Sequence, residues 1–415
     1  MSSVRLTEKR AISFLMWALC IVYFTSYFSR LGYATVIAEI IESEGITKAD
    51  ASLATTACFI TYGAGQLISG WLGDRISPKK IIFSGIFITT ACNILLPLCG
   101  NTGARAVVWG VNGFAQALLW PPMMRMITAY LDPDNASKCC VRASMAANVA
   151  TILLYLLSPL MIRLGGWRSV FALSATLAAT VGLLWIVVMT RFEQRCGVIS
   201  STRSGAKKED PEAASGVSVP HLIVAEGILF VMIAIVMQGI LRDGVTTWLP
   251  SYLVEVFHLE TGSSILSSVV IPIFSVISFQ FFAWVNNRFF RNEIRCSAVL
   301  FGIGMVLSAA MAALFTASAA ISALLAAMLT ACMHGINLML ICNLPARFAH
   351  TGKVSMISGV LNSCTYVGSA LSTYGFALVA QNFGWRTTVV CWIMICLIGV
   401  IACVTAQKMC RNLTN

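Results

Sequence analysis

Two arginines sit inside apolar stretches of this chain, and their surroundings match. Arg30 lies within IVYFTSYFSRLGYATVIAEI, residues 21–40, a run long enough to cross a bilayer. Arg242 lies within MQGILRDGVTTWLPSYL, residues 237–253, and comes 212 residues later. Each is followed two positions on by a glycine, Gly32 and Gly244. A charge at mid-bilayer costs about 2.5–3.5 kcal/mol, so it persists only where it faces a polar cavity or a partner. Guanidinium suits an oxyanion, because its planar fork meets two oxygens at once and does not lose its proton. Two such groups at matching positions point to one anion held by both. The structural alternative is an ion pair. No acid precedes Glu39 in the first run, and Asp243 stands beside Arg242, but consecutive helix residues leave the axis on different faces. That argues against the pair.

Polar side chains share the helix face of each arginine. Tyr23, Tyr27 and Arg30 fall at i, i+4 and i+7, and Gln238, Arg242 and Thr246 at i, i+4 and i+8 likewise share one face. Phenol and amide groups there would complete an anion's hydrogen-bond shell. The plainer alternative is hydrogen bonding between spans, worth about 0.6 kcal/mol on average. Trp120 and Arg125 in WPPMMR would supply a wall and a further cation, at the substrate or at an inner gate. His334 lies deep in an apolar run, where an imidazole can be an anion contact, a proton-linked group or a packed hydrogen-bonding residue. Asn362 and Tyr366, four apart, would close the site from the second half. Asp74 and Arg75 suit a gating latch at helix ends, made in one conformation and broken in the other.

The elements that must position these groups are membrane helices. Hydrophobic residues make up 58% of the 415 and charged ones 11%, where soluble domains carry about 25%. The net charge of +11 is spread between apolar runs, which fits membrane topology and not a nucleic-acid partner. The lipid bilayer is the expected surrounding. Fifteen cysteines, mostly inside the runs, read as small apolar packing residues. Arg5, Lys9 and Arg10 lead into a long apolar stretch with no small-residue cleavage site, so a retained first helix is expected. No Walker loop and no metal-ligand spacing occur, and neither a cofactor nor enzymatic chemistry is expected.

Spans of about 20 apolar residues number twelve, at 12–38, 50–72, 81–99, 104–131, 139–161, 169–190, 221–245, 263–285, 296–315, 319–344, 355–378 and 387–406. The one long hydrophilic interruption, Arg191–Pro220, contains SSTRSGAKKEDPEAASG and reads as a linker. The chain therefore divides into a six-helix bundle over 1–190, a cytoplasmic linker over 191–220 and a second bundle over 221–415. With both termini inside, 20 basic residues fall in inner loops and 5 in outer ones. That asymmetry sets the orientation.

The halves repeat. WLGDR at 71–75 matches WVNNR at 284–288, and GWR at 166–168 recurs at 384–386. Two all-α bundles in parallel repeat place a substrate site where they meet, near the bilayer midplane. GWLGDRISPKK after span two resembles the loop signature of the major facilitator superfamily. Within it, YFTSYFSRLGYA, WPPMMR and LRDGVTTWLPSYLVEV resemble the organophosphate:phosphate antiporters, which include glycerol-3-phosphate and hexose-phosphate carriers. The resemblance runs over most of the chain and implies that Arg30 and Arg242 hold phosphate. It breaks in span five, where SMAANVATI has Ala147 at the family's histidine position, and in span two, where Gln66 stands for a lysine.

The resemblance implies a carrier that exchanges a phosphorylated small molecule for inorganic phosphate by alternating access, with a complete pathway in each chain so that a monomer works. Two other readings stay open: a proton-coupled symporter of a sugar acid or other carboxylate, which Arg242 disfavours, and a transporter-like sensor of sugar phosphate.

Overall fold

The computed structural model describes residue 6 and residues 8–73, 76–196, 227–344 and 354–409. The expected latch pair Asp74 and Arg75, and the linker from residue 197 onward, lie outside the described residues. The first linker residues, 191–196, are helical and prolong the preceding span.

Two units divide the chain, residues 1–44 with 53–207 and residues 45–52 with 208–415. The division falls close to the expected one, except that the short segment 45–52 groups with the second unit. In the first unit, α1 (Lys9–Thr35) and the short α2 (Ile37–Glu44) are followed by α3 (Lys48–Gly73) and α4 (Pro78–Leu95). Then come α5 (Thr102–Ala117), α6 (Trp120–Tyr130), α7 (Pro133–Gly165) and α8 (Arg168–Cys196). The fourth span is broken between α5 and α6 because Pro121 and Pro122 have no backbone N–H to continue the α5 ladder. They restart the helix at its first turn, where no such donor is needed. That break places Trp120 at a helix start.

α1 packs on α7 and α8, and α4 packs on α8 and α5. Leu15, Leu19, Ile82, Met123, Ile127 and Met189 form a dry core between them. Polar ties cross the same bundle: Ser26 Oγ donates to Gln116 Oε1 at 2.5 Å, and Gln116 Nε2 donates to Thr89 Oγ1 at 3.2 Å. These bonds fix α1, α4 and α5 in register one turn below Arg30.

The second unit holds α9 (Ile228–Phe257), α10 (Thr261–Ser268), α11 (Val270–Val285), α12 (Glu293–Ala313), α13 (Ala319–Asn337) and α14 (Val354–Met409). A π-helical turn follows α11 (Asn286–Phe290), and another follows α13 (Leu338–Asn343). α14 is two spans joined at Gly384, whose φ of +80° breaks the helix. Pro272 cannot donate to the carbonyl of Ser268, and α10 ends there. Span seven differs from expectation: the helix does not stop near residue 245 but runs on through Pro250 to Phe257. Ser264 Oγ donates to the Pro250 carbonyl at 2.6 Å, and the Trp248 indole to the Thr373 carbonyl at 3.0 Å. The Pro250 carbonyl and the Trp248 indole are thus satisfied inside the bundle.

α9 and α14 approach most closely through glycines. A side chain at Gly239 would strike the Thr365 carbonyl, and one at Gly368 the Val236 carbonyl. Small residues that let backbones meet are the usual device between membrane helices. The outward faces are apolar, with Phe87, Leu183 and Val306 each about two-thirds exposed at 65%, 66% and 65%. Among the described residues, nine helical stretches are long and apolar enough to cross a membrane, one of them the double span in α14. α3 and the α5–α6 pair complete the twelve-helix arrangement among the described residues.

Candidate functional site

Arg30 stands in an aromatic cage built by three helices of the first unit. Its guanidinium lies 4.5 Å from the Tyr27 ring centroid and 4.8 Å from that of Tyr62. Tyr23 packs edge-on to Tyr27 at 5.0 Å and against Trp120 at 4.7 Å. The expected face of α1 therefore exists, and the helix break before Trp120 closes it. Tyr62 on α3 was not picked out from the sequence, although it falls four residues before Gln66 on one helix face. Ring faces attract a cation through their π-electrons, and the two tyrosines hold the guanidinium from its faces. Arg125 sits apart from the cage, donating Nη1 to the Ile76 carbonyl at 3.4 Å at the turn between α3 and α4.

Arg242 stands in a different setting. Its Nε donates to Asp243 Oδ1 at 2.8 Å and its Nη2 to Asp243 Oδ2 at 2.7 Å, a bidentate pair. The two side chains are 15% and 18% exposed. Successive Cβ atoms do leave a helix on different faces, but the arginine stem is long enough to curl back to the short carboxylate. The expectation of an unpaired Arg242 is corrected accordingly. Ser369 Oγ on α14 also donates to Asp243 Oδ2, a contact made possible by the glycine approach of the two helices. His334 on α13 is close enough to interact electrostatically with both Arg242 and Asp243, and its ring lies 5.5 Å from that of Phe279.

Gln238 has another task than the expected one. It is fully buried, and its Nε2 donates to the Met333 carbonyl at 3.1 Å, tying α9 to α13. Thr246 Oγ1 donates to the Arg242 carbonyl of its own helix at 2.6 Å. Asn362 and Tyr366 lie half-buried on α14, with Tyr366 one turn before Ser369.

An all-α, bilayer-spanning chain with a caged arginine in one bundle and a countered arginine in the other has the makings of a membrane carrier for an anion, not of an enzyme. The comparison with known families agrees: residues 19–373 match the Major Facilitator Superfamily, and the chain belongs to it. Members of that family are transporters.

Among its relatives are the probable hexose phosphate transport protein of Chlamydia muridarum, 22% identical over 91% of this chain and 87% of that one. The glycerol-3-phosphate transporter of Bacillus subtilis is 22% identical over 90% and 87%. The membrane sensor protein UhpC of Salmonella typhimurium is 22% identical over 88% and 84%. The resemblance to the organophosphate:phosphate antiporters thus extends over about nine-tenths of the chain. Among solved structures, a bacterial homolog of the human lysosomal transporter Spinster superposes with a TM-score of 0.81, at 14% identity, over 98% of this chain and 99% of that one. That likeness concerns the fold.

Proposed function

We propose that this protein carries a phosphorylated small molecule across the membrane in exchange for inorganic phosphate, by alternating access. The observation that carries the reading is the arginine at the equivalent position of each repeat. Arg30 is held by π-faces and Arg242 by a carboxylate that an incoming anion can replace. Each fork would take two phosphoryl oxygens, with Tyr27, Tyr23 and Trp120 walling the organic part of the substrate. Tyr366, Asn362 and His334 would complete the second bundle's share. The names of the hexose phosphate and glycerol-3-phosphate relatives support this substrate class. The loop charges favour an inner membrane with both termini on the cytoplasmic side, and each chain supplies both arginines, so a monomer suffices.

Reconstituted vesicles loaded with labelled phosphate test the reading. External glycerol-3-phosphate or hexose phosphate should release the label, and external buffer alone should not. Phosphate efflux that persists at full rate with no counter-anion outside overturns exchange. Binding of the organophosphate without flux would instead mark a sensor.

A further inference from the structure

We propose that Asp243 links anion capture at Arg242 to the uptake of one proton, an inference that rests on Arg242 being an anion-binding group. In the structure the Asp243 carboxylate does for the guanidinium what a phosphoryl group would do: two oxygens meet the Nε and Nη2 donors at 2.8 and 2.7 Å. A substrate that binds side-on, through Nε and Nη2, therefore competes with the carboxylate for one fork. A substrate that takes it leaves Asp243 largely buried without its cation. A buried, uncompensated charge is expensive, and a carboxylate relieves the cost by taking a proton.

The surroundings accommodate both protonation states. Ser369 Oγ lies within hydrogen-bond reach of two acceptors, Asp243 Oδ2 and the Thr365 carbonyl at 2.9 Å. Its single proton goes to the carboxylate when Asp243 is charged. When Asp243 is protonated, its O–H donates to Ser369 Oγ, and the serine proton turns to the Thr365 carbonyl. The serine hydroxyl and Asp243 Oδ2 keep a hydrogen bond between them in either state, which a fixed donor such as a backbone N–H would not allow. The proton comes from water on the side open to substrate and leaves with the anion on the other.

The groups facing Asp243 are few. On its own helix there is Arg242; on α13, His334; on α14, the hydroxyls of Ser369 and, one turn away, Ser372 and Thr373, with the Tyr366 phenol one turn on the other side. α10 carries no ionisable side chain, and the π-helical turn after α13 carries only Cys342. His334 is the rival proton acceptor.

The test is calorimetric sulfate binding to purified full-length protein in buffers of different ionisation enthalpy. Sulfate keeps its charge between about pH 5 and 8, so any proton taken up belongs to the protein. The expected wild-type result is uptake approaching one proton per sulfate, with affinity falling by up to about tenfold per pH unit on the alkaline side. The sign follows from linkage, since the bound state holds the extra proton and acid favours it. Asp243→Asn should bind sulfate more tightly, take up no proton and lose the pH dependence. His334→Gln, whatever it does to the affinity itself, should keep the proton uptake and the pH dependence.

Wild-type binding with no proton uptake overturns the proposal without any variant, so it stays testable if Asp243→Asn fails to fold. Proton uptake lost in His334→Gln but kept in Asp243→Asn also overturns it, in favour of the imidazole. Arg242→Lys separates this failure from that of the parent reading. If it binds sulfate as wild type does, or if wild type binds none at millimolar concentration, Arg242 is not the anion fork and both fall. If Arg242→Lys loses sulfate while Asp243→Asn behaves as wild type, only the proton link falls.

Discussion

Glu44 at the end of α2 accepts from Arg105 Nη2 at 2.7 Å, and the Arg105 side chain is 3% exposed. The same carboxylate accepts from Arg168 of the first GWR at 2.7 Å, and Arg105 and Arg168 both lie near the Trp167 ring, at 5.4 and 4.3 Å. The second GWR repeats the plan with different parts. There the Trp385 indole donates to Glu255 Oε2 at 2.9 Å, and Lys48 pairs with Glu255 at 2.8 Å. In both units a carboxylate C-terminal to the candidate arginine, Glu44 at the end of the next helix and Glu255 near the end of the same one, thus anchors the Trp of the GWR turn or the arginine beside it.

Removing that carboxylate should loosen the first unit. Glu44→Gln leaves Arg105 buried with no anion, and we expect a loss of about 2–3 kcal/mol, discounted from a fully buried pair because Glu44 is partly open to solvent. A fall of about 5 °C in the unfolding midpoint would correspond. The pH dependence has a defined sign. Hydrogen bonding from Arg105 holds the Glu44 carboxyl below the usual range, so its contribution is present above the ordinary carboxylate value and lost as pH falls through the depressed one. Glu44→Gln should flatten that part of the midpoint-versus-pH curve, and an unchanged curve would remove Glu44 from the account.

Arg30→Lys and Arg242→Lys keep the charge and lose the fork. Each should raise the phosphate Kd at least about tenfold, or about 1.4 kcal/mol. The measurement is equilibrium binding to purified protein, with a hexonate as the comparison anion. Hexonate binding untouched by Arg242→Lys, with no phosphate binding in wild type, would move the substrate to the carboxylates.

The aromatic cage gives a graded expectation. Tyr62→Phe retains a ring over Arg30 and should bind phosphate within a few-fold of wild type. Tyr62→Leu removes one π-face from a desolvated cation, a contact worth about 1–2 kcal/mol, and should weaken binding by about 5–30-fold. Equal losses in both would assign the effect to the phenol hydroxyl instead.

What could be read from the sequence divides along physical lines. The Tyr23–Tyr27–Arg30 face was legible because helical spacing is local. The break before Trp120 was not drawn in the span over 104–131, because prolines near a helix start and prolines inside a span look alike in sequence. Tyr62 was not, since its contact with Arg30 depends on how α3 lies against α1. The Arg242–Asp243 pair was misjudged because a rule about Cβ directions says little about a side chain as long as arginine. Span seven was drawn too short because hydroxyls and Pro250 look like a helix end. Only the neighbouring helices show that Ser264 satisfies the Pro250 carbonyl and that the Thr373 carbonyl takes the Trp248 indole.

The approach of α9 and α14 that brings Ser369 to Asp243 is itself testable. At Gly368 a methyl group would meet the Val236 carbonyl oxygen and Ile240 nitrogen, which are backbone and cannot swing aside. Gly368→Ala should therefore destabilise by about 1–3 kcal/mol, read as a lower unfolding midpoint and a lower monodisperse yield. Gly375, with open space around its Cβ position, is the control on the same helix. Helix propensity alone favours alanine, so Gly375→Ala should be neutral or stabilising, and comparable losses at both positions would mean that the clash at Val236 is not the cause.

Gln238 distinguishes a structural tie from a substrate contact. It shares the helix face of Arg242, yet its amide is fully buried and donates to the Met333 carbonyl. Hydrogen bonds between membrane helices average about 0.6 kcal/mol, so Gln238→Leu should lower the unfolding midpoint only slightly. Phosphate affinity should stay within about threefold of wild type, a change under 1 kcal/mol. A tenfold loss of binding at unchanged stability would return Gln238 to the site, because a residue that merely joins α9 to α13 cannot weaken the ligand without weakening the bundle.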